Sequence, residues 1–266
     1  MNAIEIGQVG PRHWDPMARW SSRLPVSLAV ADTATRLRRR ARGGLIVDLD
    51  DTLYYRDHYV MSGFAVVAQC VARIYCVDRA EAFATLAGAY AAGQRGHEFQ
   101  TLCRAMRLPA SLIGELVELF REHKPSIWLS PGVEATLDAM RRDGWRIAIL
   151  TNGMPSVQAA KVAALNLAPL VDHVLYAESL AIGGKPSITT FQAALVRLGL
   201  PADMCLCVGD SADCDIDGAL RAGIRAVHLV PNGAAAHPRA DAVIEAFEDL
   251  PAVAASLIEQ VTSDVA

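Results

Sequence analysis

The chain has 266 residues, of which 52% are hydrophobic and 20% are charged, and its formal net charge is −4 at pH 7. This length accommodates one sizeable core with a smaller inserted domain, and the slightly negative charge gives no reason to expect nucleic acid as a partner. No apolar run reaches the ~18 residues of a membrane span, and the N-terminus lacks the layout of a secretory signal. The six cysteines do not suggest a disulfide framework in a chain of this length. We therefore expect a reduced, cytoplasmic protein that does not bind a membrane.

Residues 1–43 form an extension whose role the sequence does not indicate. Glycine and proline interrupt its beginning, whereas residues 29–41 are compatible with a helix that ends in a basic run at 36–42. Runs of like charge usually lie on a solvated face, so we prefer a surface arm or packing helix to an anion-binding patch.

A short apolar run at 45–47 is rich in β-branched residues and predicts a buried strand. The run ends in Asp48, with Asp50 close behind. Carboxylates rarely follow a buried strand without a use, because an unpaired buried charge is costly. In open α/β sheets, ligands bind at the carboxyl ends of the strands. The alternative is a solvated turn.

The stretch from about residue 60 to residue 123 has the periodicity of helices. Apolar side chains recur every three or four residues, and breaks occur at Asp78, at the turn 93–96 and at Pro109. This pattern predicts about four helices, which we interpret as a domain inserted at residues 58–125.

From residue 130 onward, helical and strand patterns alternate. Strands are predicted at 145–150, 173–176, 204–208 and 224–230, with a further candidate at 241–244. Helices are predicted at 131–142, 155–165, 188–198, after residue 210 up to 222, and near 250–261. Such alternation indicates a parallel sheet covered by helices and joined by right-handed crossovers. The predicted fold class is α/β, with a Rossmann-like core formed by residues 44–57 and 126–266.

Polar side chains stand at three predicted strand ends: Asp48 and Asp50, then Thr151 and Asn152, then Asp210. If these strands are neighbours, the side chains meet at one edge of the sheet.

The third strand end opens an acidic segment that includes Asp213, Asp215 and Asp217. Carboxylates grouped in this way suit a hard cation such as Mg²⁺. The alternative is a helix N-cap with an acidic first turn, which we prefer for Asp213 and Asp217.

In order, these features resemble the four sequence motifs of the haloacid dehalogenase (HAD) superfamily. The first is Asp-x-Asp-x-Thr-Leu at 48–53, the second ends at Thr151, and the fourth is Gly-Asp-Ser-x-x-x-Asp at 209–215. Lys185 matches the third, and it is one of only three lysines against 22 arginines. A compact ammonium suits a point contact to a phosphoryl oxygen or a carboxylate. The helical insert resembles the α-helical cap of one subfamily.

The resemblance implies phosphoryl transfer with Asp48 as the nucleophile, through an aspartyl-phosphate. Asp50 would protonate the leaving oxygen and later accept a proton from water. For this we expect its pKa to be raised by burial and by a neighbouring carboxylate. Lys185 would offset charge, and Asp51 is interpreted as a turn residue.

The resemblance also implies a Mg²⁺ site formed by Asp48, the backbone carbonyl of Asp50, and Asp210, with Asp215 as an additional contact. Thr151 and Asn152 would bind phosphoryl oxygens.

Substrate choice is expected to reside in the cap, which closes over the site. The candidates are Tyr55, Arg56 and His58 near the hinge and Arg95 and His97 near the glycine-rich turn, although an exposed polar role is an equal alternative for each.

The segment Thr151-Asn152-Gly153, with Gln158 and Lys161, looks like the branch of N-acylneuraminate-9-phosphatases and pyrimidine 5′-nucleotidases. This similarity hints at a sugar phosphate or a nucleoside monophosphate.

The leading hypothesis is a Mg²⁺-dependent phosphomonoesterase of a small metabolite, acting as a monomer or homodimer. A phosphomutase of the same family and a non-catalytic regulatory or interaction protein are the alternatives. A dehalogenase is disfavoured because a departing halide needs no proton, whereas this chain has Asp50 two residues after the expected nucleophile.

Overall fold

The computed structural model describes residues 41–180, 183–230 and 234–264, and it describes side chains up to residue 258. The predicted helix at 29–41 and most of the basic run at 36–42 lie outside the described residues, as does nearly all of the predicted extension 1–43.

Six parallel strands form one sheet in the described part of the chain, in the order β3-β2-β1-β4-β5-β6. The strands are β1 (Gly43–Val47), β2 (Trp145–Thr151), β3 (His173–Tyr176), β4 (Cys205–Gly209), β5 (Arg225–Leu229) and β6 (Ala242–Ile244). The predicted α/β class with a parallel sheet is confirmed. Strand β1 is central, and its neighbours β2 and β4 carry the other two predicted polar strand ends.

Four helices lie between β1 and the next core helix: α1 (Arg56–Tyr75), α2 (Arg79–Ala91), α3 (Glu98–Ala105) and α4 (Ile113–Glu122). We call residues 56–122 the helical insert. The remaining helices are α5 (Pro131–Arg142), α6 (Pro155–Ala164), α7 (Ile188–Leu198), α8 (Asp217–Arg221) and α9 (Leu250–Asp264). The exact division into a core and a cap at 58–125 stays a prediction.

Local sequence signals explain where several helices begin. Asp78 caps α2 by accepting a hydrogen bond from the backbone N–H of Glu81 at 2.7 Å, and Ser130 caps α5 with Pro131 in its first turn. Helix α1 begins at Arg56, earlier than the apolar pattern predicts. The reason is Asp51, which has a left-handed backbone (φ 60°) and whose carboxylate accepts a hydrogen bond from the backbone N–H of Arg56 at 2.9 Å.

Strand β1 is buried on both faces of the sheet. Leu45 and Val47 pack into a cluster that includes residues of the helical insert, whereas Ile46 packs into the cluster on the opposite face. Burial of each such side chain stabilises the fold by about 1.5–3 kcal/mol. The strand therefore provides a rigid support for the residues that follow it. Within the described ranges, none of the helices is both long and apolar enough to cross a lipid bilayer.

Candidate active site

The sheet register brings three polar strand ends together. Val47 at the end of β1 pairs with Ile149 of β2 and with Val208 of β4. The next residue, Asp48, donates its backbone N–H to the carbonyl of Val208 at 3.0 Å. Thr151 at the end of β2 and Asp210 after β4 consequently lie at the same edge as Asp48, as the strand order requires.

Lys185 joins two carboxylates at this edge. Its ammonium donates to Asp48 Oδ1 at 2.5 Å and to Asp215 Oδ1 at 2.6 Å, and all three residues are at least nine-tenths buried. Burial raises the pKa of Asp48 to about 7 even though Lys185 opposes the shift, and burial also raises the pKa of Asp215. Burial alone would lower the pKa of Lys185, but the two carboxylates outweigh it and raise that pKa.

Asp210 completes a group of three carboxylates. Ligand atoms of Asp48, Asp210 and Asp215 all lie within 4.8 Å of one another. Burial, followed by repulsion from Asp48 and Asp51, raises the pKa of Asp210 to about 6. One ammonium faces three carboxylates, so the group carries excess negative charge when it is ionised. Hard oxygen ligands with excess negative charge fit a hard divalent cation.

A close backbone approach explains the glycine that precedes Asp210. A Cβ atom on Gly209 would lie 2.3 Å from the carboxylate of Asp215, a distance too short for any residue other than glycine at this position. The carboxylate of Asp215 is held there by the backbone N–H of Ser211 at 3.1 Å. Gly209 thus leaves room for the carboxylate of Asp215 close to that of Asp210.

Asp50 is held by three side chains. Lys161 donates to both of its carboxylate oxygens at 2.7 and 2.8 Å, Gln158 donates at 2.9 Å, and the hydroxyl of Tyr54 donates at 2.5 Å. Burial alone would raise the pKa of Asp50, but the charge of Lys161 and these hydrogen bonds outweigh it, so the pKa is lowered. The expectation that Asp50 has a raised pKa is therefore wrong, because a buried ammonium offsets its burial.

Thr151, the last residue of β2, and Asn152, which follows it, have hydrogen-bond partners within the protein. Thr151 accepts a hydrogen bond from Gln158 at 2.6 Å. The Asn152 side chain accepts from the backbone N–H of Lys185 at 2.8 Å and donates to the carbonyl of Lys185 at 3.0 Å. This pair of bonds positions the segment that carries Lys185, so the side chain of Asn152 has a structural contact in addition to its predicted role toward the substrate.

A cavity of about 720 Å³ lies between the helical insert and this edge of the sheet. Asp50, Asn152 and Lys161 line it from the core, and Arg56 and Arg95 line it from the insert. Its walls also include five aromatic side chains: Tyr59, Phe64, Tyr90, Phe99 and Phe120. The volume is typical of a small-molecule site.

The other predicted cap residues lie elsewhere. His97 is exposed immediately before α3 and is not among the residues that line the cavity. Tyr55 and His58 line a second cavity of about 480 Å³, where His58 stacks on Trp128 with ring centroids 5.4 Å apart. The structure thus places Arg56 and Arg95 on the cavity beside Asp50, and it does not place His97, Tyr55 or His58 there.

Comparison with known proteins identifies the family. Residues 43–223, more than half of the chain, match the model of the haloacid dehalogenase-like hydrolases. The chain belongs to this family. The sequence-based predictions of a HAD-superfamily member and of a hydrolase are confirmed.

Several relatives of this HAD-like hydrolase are phosphatases. A phosphoserine phosphatase of Thermus thermophilus is 38% identical over 113 residues, which span 42% of this chain and 45% of the relative. The plasmid-encoded phosphoglycolate phosphatase of Cupriavidus necator is 31% identical over 181 residues, 64% of this chain and 77% of the relative. A glyceraldehyde 3-phosphate phosphatase of Methanocaldococcus jannaschii is 26% identical over 193 residues, 70% and 84% respectively. The chain therefore spans less than half of the Thermus relative but most of the other two.

Solved structures support the HAD fold. The putative HAD-hydrolase YfnB of Bacillus subtilis, bound to magnesium, has a TM-score of 0.57 and 19% identity, covering 81% of this chain and 99% of that structure. The 2-haloacid dehalogenase of Pseudomonas syringae has a TM-score of 0.58 and 26% identity, covering 80% and 98%.

Sequence reasoning about this HAD-like hydrolase missed the partners of Asp50. Lys161 is buried, pairs with Asp50 and lies with its ammonium 4.4 Å from the ring centroid of Tyr59. A signal was present, because Gln158 and Lys161 are three residues apart and share one face of α6. From sequence alone, these two residues indicate only a resemblance to a family branch. Their contact with Asp50 gives them a place in the site.

Proposed function

We propose that the protein is a Mg²⁺-dependent phosphomonoesterase that hydrolyses a small phosphorylated metabolite through an aspartyl-phosphate intermediate. The observation that carries this proposal is the group of Asp48, Asp210 and Asp215 with Lys185, next to a cavity of small-molecule size. The relatives are named as phosphatases of phosphoserine, phosphoglycolate and glyceraldehyde 3-phosphate, all small phosphate esters. We propose the same reaction class for this chain.

In the first step, a carboxylate oxygen of Asp48 attacks phosphorus, and the bond from phosphorus to the leaving oxygen breaks. Lys185 contacts Asp48 at 2.5 Å, which orients the carboxylate and offsets charge that accumulates during the attack. In the second step, water attacks the acyl phosphate, which releases inorganic phosphate and restores the carboxylate of Asp48.

Asp50 is proposed to transfer the proton in both steps. The leaving oxygen needs a proton in the first step, and the negative phosphoryl group raises the pKa of the neighbouring Asp50 carboxyl when the substrate binds. The pKa of Asp50 is lowered in the ligand-free protein by Lys161, Tyr54 and Gln158, which outweigh its burial. A lowered pKa keeps the carboxylate available as a base toward water in the second step.

Asp48, Asp210 and Asp215, with the backbone carbonyl of Asp50, are the residues that would hold Mg²⁺. Their carboxylates lie close together and are short of positive charge, which fits this cation. When bound, Mg²⁺ supplies the positive charge that lets a phosphate group approach the carboxylate of Asp48.

We expect the affinity for Mg²⁺ to increase with pH. In the metal-free protein the pKa values of Asp48 and Asp210 are about 7 and about 6, so at lower pH the cation must displace protons from them. The affinity is expected to rise roughly tenfold or more from about pH 6 to about pH 8. Isothermal titration calorimetry in two buffers at each pH measures both the affinity and the protons released. Equal affinities without proton release would contradict this prediction.

The presence of Asp50 favours phosphate esters over haloacids as substrates. A halide leaves without a proton, whereas an alkoxide needs one, and Asp50 lines the cavity within two residues of Asp48. This argument applies to the residues of this chain even though one structural neighbour is a 2-haloacid dehalogenase.

Phosphate release from p-nitrophenyl phosphate tests the proposed function. The aromatic leaving group suits the aromatic walls of the cavity, and we expect turnover with Mg²⁺ that EDTA abolishes and added Mg²⁺ restores. A panel of phosphoserine, phosphoglycolate, sugar phosphates and nucleoside monophosphates follows. No Mg²⁺-dependent turnover of any of these compounds would overturn the proposal.

A further inference from the structure

Two arginines of the helical insert line the cavity without a carboxylate partner in the described part of the chain. Arg56 and Arg95 both line the cavity, and neither forms an ion pair with any residue that the structure describes. The other cations on the cavity wall are already paired, since Lys161 binds Asp50 and Arg121 binds Glu118 at 2.7 Å. Arg56 and Arg95 are thus the positive groups that an incoming anion would meet on the side of the insert.

Arg95 is held in place before any ligand arrives. Its guanidinium lies 4.1 Å from the ring centroid of Tyr90 and donates to the hydroxyl of Tyr90 at 2.6 Å. That hydroxyl donates in turn to the carboxylate of Asp57 at 2.6 Å. Because a guanidinium has five N–H donors, most of those of Arg95 are left for a ligand. A donor that is already oriented binds an anion at a lower entropic cost.

A buried acid on the same wall supplies a second observation. Glu98 is only 8% exposed and lines the cavity, yet it makes no hydrogen bond or ion pair with the described residues. It does not pair with Arg95, three residues earlier, within 4.0 Å. A carboxylate that lines the open cavity without a protein partner is an acceptor for a ligand group that donates hydrogen bonds. Glu178, the remaining acid on the wall, is exposed and belongs to the core.

From these groups we infer the substrate class, on the basis of the proposed function. The leaving group carries an anionic group, a carboxylate or a second phosphoryl group, that binds Arg56 and Arg95. Beside it stands a hydrogen-bond donor, an ammonium or a hydroxyl group, that binds Glu98. A phosphate ester whose leaving group carries neither an anionic group nor a hydrogen-bond donor leaves both arginines and Glu98 without partners, and it is a poorer substrate.

Four esters that differ only in these two groups provide the test. O-phosphoserine has the carboxylate and the ammonium, 3-(phosphonooxy)propanoate has only the carboxylate, phosphoethanolamine has only the ammonium, and ethyl phosphate has neither. We expect kcat/KM to rise roughly tenfold or more with the carboxylate, mainly through KM, because charged hydrogen bonds are made. 3-Phosphoglycerate, which has a hydroxyl group in place of the ammonium of phosphoserine, shows whether either donor suffices. Propane-1,3-diol bisphosphate, measured beside propane-1,3-diol monophosphate, shows whether a second phosphoryl group can replace the carboxylate.

Variants assign the effects to residues. In R95Q and R56Q we expect the preference for the carboxylate esters over ethyl phosphate to fall to within a few fold. In E98Q we expect the preference for phosphoserine over 3-(phosphonooxy)propanoate to fall in the same way. Arg104→Gln is the matched control, because Arg104 is exposed on α3 and does not line the cavity, and its preferences should equal those of the wild type. Thermal unfolding of each variant shows whether the fold is retained.

The outcomes separate this inference from the proposed function. If neither p-nitrophenyl phosphate nor any ester is hydrolysed with Mg²⁺, the proposed function fails. If p-nitrophenyl phosphate is hydrolysed but ethyl phosphate is as good a substrate as the anionic esters, the inference about the substrate class fails alone. A wild-type preference that survives in both R95Q and R56Q would also overturn the assignment of these arginines.

Discussion

Asp48→Asn is expected to reduce Mg²⁺-dependent phosphate release by at least roughly 10⁴-fold, because an amide cannot act as the nucleophile toward phosphorus. Asp48 lies at the end of the central strand with its carboxylate 2.5 Å from the ammonium of Lys185. Among the described residues, Asp215 is the other carboxylate that contacts Lys185, but it does not lie directly at the end of a strand. The measurement is the initial rate with p-nitrophenyl phosphate and with the best substrate of the panel.

The fold should survive this substitution. Burial raises the pKa of Asp48 to about 7, so the folded protein holds a proton there more tightly than the unfolded chain does. Above that pH the charged carboxylate costs stability, and a neutral amide of the same shape avoids the cost. Lys185 keeps Asp215 as a partner at 2.6 Å. We therefore expect the unfolding midpoint of D48N near pH 8 to equal or exceed that of the wild type.

Asp213→Asn is the control for the loss of a nearby carboxylate. Asp213 belongs to the same acidic segment as Asp215 but is exposed, and its substitution should leave the rate within about twofold of the wild type. Retention of more than a tenth of the wild-type rate by D48N would exclude Asp48 as the nucleophile. Loss of activity in D213N as well would point to a general disturbance of the segment.

The strand-end residues could be predicted because their signals are local. A short apolar run, a polar residue directly after it and alternating helical segments together indicate parallel strands that end at one edge. The observed register of Val47 with Ile149 and Val208 then follows from the strand order. Asp48, Thr151 and Asp210 converge for this reason.

Local signals of this kind do not predict the side chains that surround Asp50. Lys161 contacts Asp50 across 111 positions of sequence, and the contact depends on which face α6 turns toward the sheet. From sequence, Asp50 stands beside other acids, and that pattern predicts a raised pKa. The buried ammonium reverses the direction. The position of Arg95 on the cavity wall depends likewise on its contact with Tyr90, and the sequence pattern does not predict this contact.

Lys185→Met is expected to destabilise the metal-free protein by about 3–5 kcal/mol near pH 8, in addition to abolishing most of its activity. The ammonium lies between the carboxylates of Asp48 and Asp215, and all three groups are at least nine-tenths buried. Its removal leaves two buried carboxylates side by side with no counter-charge. Urea unfolding in EDTA measures the loss, and Lys124→Met is the control, because Lys124 is exposed.

The pH dependence of this loss identifies its cause. Lys185 lowers the pKa values of Asp48 and Asp215 against the effect of burial, so without it both values rise further above those of the unfolded chain. The folded variant then binds more protons than the unfolded chain, and its stability falls as the pH rises. The destabilisation should be small near pH 5, where the carboxylates are protonated, and largest near pH 8. Mg²⁺ should restore part of the stability at pH 8, since a bound cation stabilises the folded state and supplies the missing positive charge. A loss of equal size at both pH values would show that packing of the lysine side chain, and not its charge, stabilises this edge of the sheet.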